Sequence, residues 1–175
     1  MAHKEQQDYF CFIKDKFPSF FTNKKVLDVG SCDINGSPKF LFKDCDYIGC
    51  DVFSGKNVDV VGFTHELTFP DNSFDVIISS ECFEHDPYFN KSILNILRML
   101  KSGGLFTMTC ATTGRKEHGT ASTSPDDSLT SKLNINHYKN ITEQDFRDII
   151  NIEEIFSNFE FNVLQFDLRF FGIKK

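Results

Sequence analysis

Residues 25–40 read KVLDVGSCDINGSPKF. An apolar run from Val26 to Val29 meets Gly30 and a polar turn, and Ser37-Pro38 then opens a short helical segment, PKFLF. A strand that delivers a turn and then a helix is the unit of an open α/β sheet, whose ligands bind beyond the carboxyl ends of the strands. A dinucleotide fold would need G-x-G-x-x-G here, so that backbone can approach a pyrophosphate at the helix N-terminus. Gly30 is followed instead by Ser31, Cys32, Asp33, Ile34 and Asn35. Glycine is missing at both later positions, and Asp33 sets a negative charge where a pyrophosphate would lie. A diphosphate is disfavoured, whereas an acidic rim of Asp28 and Asp33 attracts a cation.

Working outward, apolar runs ending at turn signals recur at DYIGCDVF, VDVV, FDVIISS and GGLFTMTCA, the pattern of strands buried on both faces of a largely parallel sheet. Between them YFNKSILNILRMLK repeats apolar residues at helical spacing and stops at Ser102-Gly103-Gly104. Alternating strand and helix give an α/β class. Residues 4–17 show helical spacing in Tyr9, Phe10, Phe12, Ile13 and Phe17 and end at Pro18, so residues 1–22 are expected to add a helix across the sheet. Residues 112–136 turn to Thr, Ser, Gly, Asp and Pro without periodicity and are expected to form a polar loop or lid. Thr142 with an acidic first turn caps a helix in TEQDFRDII. FEFNVLQF and DLRFFGIKK then form an antiparallel pair at the sheet edge.

With 175 residues the chain is expected to fold as one domain, 1–175, around one core. A net charge of -6 offers no basic face for duplex nucleic acid. The N-terminus is charged throughout and carries no apolar run long enough for a signal peptide or membrane span, so the expected location is cytoplasmic. The six cysteines show neither C-x-x-C pairs nor metal-ligand spacing, which fits free thiols and predicts no metal.

Asp51 ends the run DYIGCD, 21 residues beyond Gly30. A carboxylate there can accept hydrogen bonds from both hydroxyls of a ribose. With the first turn unsuited to pyrophosphate, these residues point to an adenosine cofactor without phosphates.

At this point the sequence resembles the class I methyltransferases that use S-adenosylmethionine. The resemblance rests on DVGSCDINGS, on Asp51, on HELTFPDNSFDVIISSECFEH, on MLKSGG and on TCATTGRKEHGT, in that order, and covers about residues 24–120. It implies a Rossmann-like, seven-stranded, mostly parallel sheet with an antiparallel C-terminal strand pair and helices on both faces. It also implies S-adenosylmethionine as cofactor and S-adenosylhomocysteine as product. By that resemblance Asp28, Gly30, Ser31 and Cys32, with Asp33, border the methionine part, and Asp51, with Val52 beside it, holds the ribose. Phe63 stands where the family commonly has an acid for the adenine amino group, which leaves Thr64 and His65 as substitutes. Ser80 and Glu81 flank the sulfonium side.

Glu84 and His85 match the family's E-H pair, and either can instead cap the helix that begins near Pro87. Arg115, Glu117 and His118 lie beyond the last parallel run, where an acceptor would approach or where an ordinary charged loop would sit. The expected reaction is methyl transfer to an oxygen or nitrogen of a small-molecule or sugar-like acceptor. His118 with Glu117 is the first choice of general base and His85 the second. His137 and Tyr138 could close over the site, with core packing the alternative for Tyr138. Two rivals remain open: a catalytically silent methyltransferase-like module, and a nicotinamide-dependent oxidoreductase.

Overall fold

Val26 and Leu27 point to opposite sides of one strand, and both are fully buried, so the sheet they belong to is covered on both faces. In the computed structural model, which describes residues 4–175, that strand is β1 (Lys25–Val29). Residues 1–3 of the expected N-terminal extension lie outside the described residues. Around β1 stand β2 (Asp46–Asp51), β3 (Val60–Val61), β4 (Phe74–Ser80), β5 (Leu100–Ala111), β6 (Phe156–Leu164) and β7 (Asp167–Lys174). They form a seven-stranded sheet in the order β3-β2-β1-β4-β5-β7-β6. The first five strands run parallel, and β7 pairs antiparallel with both β5 and β6. This is the Rossmann-like arrangement expected from the sequence. The chain passes from β1 to β2 on one side and returns to β4 on the other, so the crevice at the ends of β1 and β4 is the switch point where such sheets bind ligands.

One face is closed by α2 (Phe89–Met99), through Ile93, Ile96 and Met99, and by Phe146 of α3 (Glu143–Arg147). These meet Leu27, Ile77, Phe106, Met108 and Phe170 of the sheet. The other face lacks a full crossover helix, because the segment from β1 to β2 forms only a single 3₁₀ turn at Pro38–Leu41. There α1 (Lys4–Lys16) substitutes, setting Phe10 and Ile13, with Phe21 and Leu41, against Val26, Val76, Ile78, Leu105 and Phe171. Each large apolar side chain buried this way contributes about 1.5–3 kcal/mol relative to exposure. The N-terminal helix therefore completes the core.

Several boundaries differ from the sequence expectation. The helix α2 ends at Met99, and the Lys101–Gly104 turn, with Gly103 at φ +73°, bulges within β5 between Leu100, which pairs with Phe74, and Leu105, which pairs with Val76. A four-residue helix α4 (Ile152–Ile155) precedes β6, too short to leave a periodic signal in sequence. The cap of α3 is a full capping box, in which Thr142 and Asp145 bond each other's backbone N–H groups. No helix among the described residues is long and apolar enough to cross a membrane.

Candidate cofactor cavity and the histidine cluster beside it

The end of β1 turns sharply at Gly30, whose φ of +75° suits glycine. A Cβ at this position would stand 2.5 Å from the Cβ of Cys82, so the missing side chain also lets the β1 turn lie against the turn after β4. Between these turns opens a cavity with about 60 Å³ of free volume. Gly30, Cys32 and Ile34 form one wall, Asp51 and Val52 the end of β2, and Phe63 and Thr64 the far side. Glu81, Cys82, His85 and Asp86 come from the turn after β4, and residues 127–130 of the polar segment close the cavity from above. A small-molecule site typically holds about 300–1,000 Å³.

Four carboxylates line this cavity, Asp51, Glu81, Asp86 and Asp127, and no Lys or Arg does. Asp51 is held in place by its neighbours: Oδ2 accepts from the Cys32 N–H at 3.0 Å and Oδ1 from the Val52 N–H at 2.7 Å. Each oxygen keeps a further lone pair for a ligand hydroxyl. Burial pushes the Asp51 carboxyl above its ordinary value, and these two N–H groups work against that. Glu81 sits at φ +50°, a conformation that non-glycine residues rarely adopt, directly after β4. Its carboxyl is pushed well up by burial and by the charge of Glu84. Strain of this kind leaves no mark in sequence.

The two acids expected to form the rim stand elsewhere. Asp28 lies beside the cavity without lining it, buried and accepting a hydrogen bond from the Tyr47 hydroxyl at 2.7 Å. Burial raises its pKa to about 7, with the Tyr47 bond opposing. Asp33 is paired with the Lys56 ammonium at 2.6 Å and accepts from the Gly36 N–H, which holds its carboxyl below the ordinary value. The acidic character of the site therefore comes from other carboxylates, because Asp28 points to the α1 side of the sheet and Asp33 closes its own turn. Ser31 donates to the Asn57 carbonyl at 2.9 Å and ties down the loop after β2. Ser80 and His65 do not line the cavity, and the His65 ring packs 4.3 Å from Tyr88. Phe63 stacks edge-on against the same Tyr88, so an aromatic group occupies the side where the family commonly carries an acid.

The capping role open to Glu84 and His85 falls instead to Asp86, whose Oδ1 accepts from the Tyr88 N–H at 2.8 Å. Glu84 is fully buried. Burial pushes its carboxyl up, opposed by loosely placed N–H groups, its own and that of Ala111, and neither oxygen accepts a hydrogen bond of normal geometry. His85 stands 4.0 Å from it and is kept neutral, its pKa pushed down to about 3 by burial and by the charge of His118. The His118 ring packs 5.0 Å from His85, and Tyr138 braces both rings. Tyr138 thus supports the histidines, its hydroxyl donating to the Lys116 carbonyl. The Glu117–His118 pair expected as general base is not formed: Glu117 accepts from the Thr120 hydroxyl at 2.7 Å, while His118 Nδ1 is bonded to the Lys116 carbonyl at 3.1 Å. Neither Glu117 nor His118 lines the cavity. Burial pushes the Cys82 and Cys110 thiols well up, so neither is a thiolate nucleophile.

The strand order is that of the Rossmann-like fold, and residues 27–108 match the family model described as a methyltransferase domain. That stretch runs from β1 through β5 and holds most of the cavity wall. Among curated proteins the chain is 33% identical over 100 residues to the sterol 24-C-methyltransferase of Neurospora crassa, covering 47% of this chain and 26% of that protein. It is 29% identical over 103 residues to the fatty-acid O-methyltransferase of Mycolicibacterium smegmatis, covering 50% and 37%. The chain thus spans about a quarter to two fifths of these relatives. Among solved structures, phosphoethanolamine N-methyltransferase 2 of Haemonchus contortus, in complex with S-adenosyl-L-methionine, aligns at a TM-score of 0.61 and 20% identity, over 89% of this chain and 38% of that one. The 1,6-didemethyltoxoflavin-N1-methyltransferase of Burkholderia thailandensis aligns at 0.60 and 14% identity, over 100% and 92%.

Proposed function

We propose that this protein is an S-adenosylmethionine-dependent methyltransferase acting on an oxygen or nitrogen of a small-molecule acceptor. One observation carries the reading: four carboxylates and, among the described residues, no Lys or Arg line the cavity at the switch point of a methyltransferase domain. That charge suits a cofactor with a sulfonium and an ammonium and repels a pyrophosphate. When bound, S-adenosylmethionine supplies a methyl group already activated by its sulfonium.

The protein's own work is then binding, alignment and exclusion of water, and alignment alone is worth about 7–11 kcal/mol of barrier. Asp51 accepts from the ribose hydroxyls, with its own position fixed by the Cys32 and Val52 N–H groups. Phe63, Val52 and Leu129 offer apolar surface to the adenine, and Thr64 a polar edge. Glu81 and Asp86 balance positive charge, and residues 127–130 cover the site. His85 is the histidine on the cavity wall, neutral and able to accept a hydrogen bond from an acceptor hydroxyl or amine as its proton becomes acidic. His118 acts behind it. The relatives' names span a sterol carbon, a fatty-acid oxygen and a phosphoethanolamine nitrogen. The neutral imidazole at the wall favours a heteroatom that carries a proton.

Thermal unfolding with S-adenosylmethionine, S-adenosylhomocysteine and NAD in parallel tests this. At 100-fold over its dissociation constant a ligand adds about 2.7 kcal/mol, which raises the midpoint by several degrees at roughly 2–4 °C per kcal/mol. A shift with the two sulfur compounds alone supports the proposal. A shift with NAD alone, or with none of the three, refutes it.

A further inference from the structure

Glu84, His85 and His118 converge so that one ligand atom from each lies within 4.8 Å of the others. Glu84 is fully buried with no well-formed hydrogen bond to either oxygen, and the His85 Nδ1 is also buried without a partner. A buried carboxylate left in that condition is costly, and buried charges in proteins are ordinarily paired or bound to a metal. Glu81, three residues earlier, is a second buried carboxylate, on which the charge of Glu84 acts.

The surroundings of His118 fit a ligand. A backbone carbonyl can only accept, so the bond from Nδ1 to the Lys116 carbonyl places the ring proton on Nδ1 and leaves the Nε2 lone pair free. A ligating imidazole is ordinarily oriented in just this way through its second nitrogen. Gly119 then permits the close approach, since at φ +64° a Cβ would stand 2.6 Å from the His85 ring.

We propose that Glu84, His85 and His118 form a binding site for one divalent transition-metal ion, zinc, cobalt or nickel, beside the cofactor cavity. Two imidazoles and a single carboxylate suit these borderline ions, whereas magnesium and calcium prefer oxygen ligands. With metal–ligand bonds of about 2.0–2.2 Å in a tetrahedral arrangement, two ligand atoms sit about 3.3–3.6 Å apart. The His85 Nε2 and a Glu84 oxygen stand at 4.0 Å, and the three ligand atoms within 4.8 Å of one another, so binding requires them to draw together by about an ångström. Because His85 lines the cavity, an ion held here would take up the imidazole lone pair and put a Lewis acid in its place at that wall, where an acceptor hydroxyl would lose its proton more readily. That use of the ion rests on the methyl-transfer reading, whereas binding of the ion does not.

The test uses the untagged chain, freed of metal with a chelator and titrated with cobalt(II) and zinc(II) in the absence of any cofactor. Visible absorption reports cobalt coordination, and calorimetry gives stoichiometry and affinity for zinc. One ion per chain is expected. H118A and E84Q should each weaken binding at least 10-fold, the lower end of what losing a supporting group alone does. H137A, which alters a nearby histidine outside the cluster, should leave affinity unchanged. Circular dichroism verifies the fold, and H118A decides if the buried E84Q variant is unfolded. Absence of saturable one-to-one binding, or equal affinity in H118A and the unaltered chain, overturns the proposal. The thermal shift with S-adenosylmethionine is read separately, so failure of the metal site leaves the cofactor assignment standing.

Discussion

Replacing Asp28 by Asn should stabilise the protein above neutral pH and remove a pH dependence that the unaltered chain carries. Asp28 is buried, and its pKa is raised from an ordinary 3.8 to about 7. The folded chain therefore binds more protons than the unfolded chain between these values, so stability falls as pH rises from about 4 to 7 and is level beyond that. Each pH unit of displacement corresponds to about 1.4 kcal/mol, which makes full ionisation worth up to about 4 kcal/mol against the folded state. Asn keeps an oxygen to accept the Tyr47 hydroxyl bond at 2.7 Å and carries no charge. Urea unfolding at pH 5, 6, 7 and 8 measures the effect. The advantage of the variant over the unaltered chain should grow by about 1.4 kcal/mol per unit from pH 5 to near pH 7 and level off by pH 8. A variant no more stable at pH 8 than the unaltered chain would show that Asp28 ionises freely, and would refute the burial argument.

Asp51→Asn should weaken S-adenosylmethionine binding by about 10- to 100-fold, because a hydrogen bond to a charged group is worth about 1.5–3 kcal/mol; calorimetry on the folded variant checks it, and a change under twofold would remove Asp51 from the site. Gly30→Ala should destabilise the chain and impair the site together, since its Cβ would press on Cys82 at 2.5 Å and the residue would hold φ +75°; denaturant unfolding and ligand-induced thermal shift read the two effects. Phe170→Ala, which removes a fully buried ring packed on Phe106, Phe146, Phe156 and Phe161, should cost about 3–5 kcal/mol in urea unfolding.

Most of the fold can be read from the chain because its signals are local. Val26, Leu27 and Val29, and likewise Val76–Ile78, are apolar without alternation, which says that their strands are covered on both faces before any partner is known. The glycines and polar turn that follow each run place strand ends, and Asp51 at the end of the second run does line the cavity. What the sequence could not supply is direction. Asp28 and Asp33 sit in the right turn, yet one faces Tyr47 across the sheet and the other pairs with Lys56, so neither lends its charge to the cavity wall. Side-chain facing depends on the twist of the turn and on the neighbours met there, and both are set by distant residues.

The tertiary structure also decided which residues meet. Asp127 to Thr130 reach the cavity, and His118 meets Glu84 and His85, through a segment with no periodic signal whose path is fixed by anchors at either end. Those anchors are the Thr112 N–H to the Phe166 carbonyl and the Lys139 N–H to the Glu84 carbonyl, both at 2.8 Å. The nearest-neighbour pair Glu117–His118 is conspicuous in sequence but does not form, whereas Glu84 and His118 are 34 positions apart and do meet. The sequence by itself determined the strands, their burial and the turn that holds the cofactor cavity, because periodicity and turn chemistry act over a few residues. Only the packed structure decided which carboxylates face that cavity and which histidines join them, because those contacts depend on where the whole chain has folded.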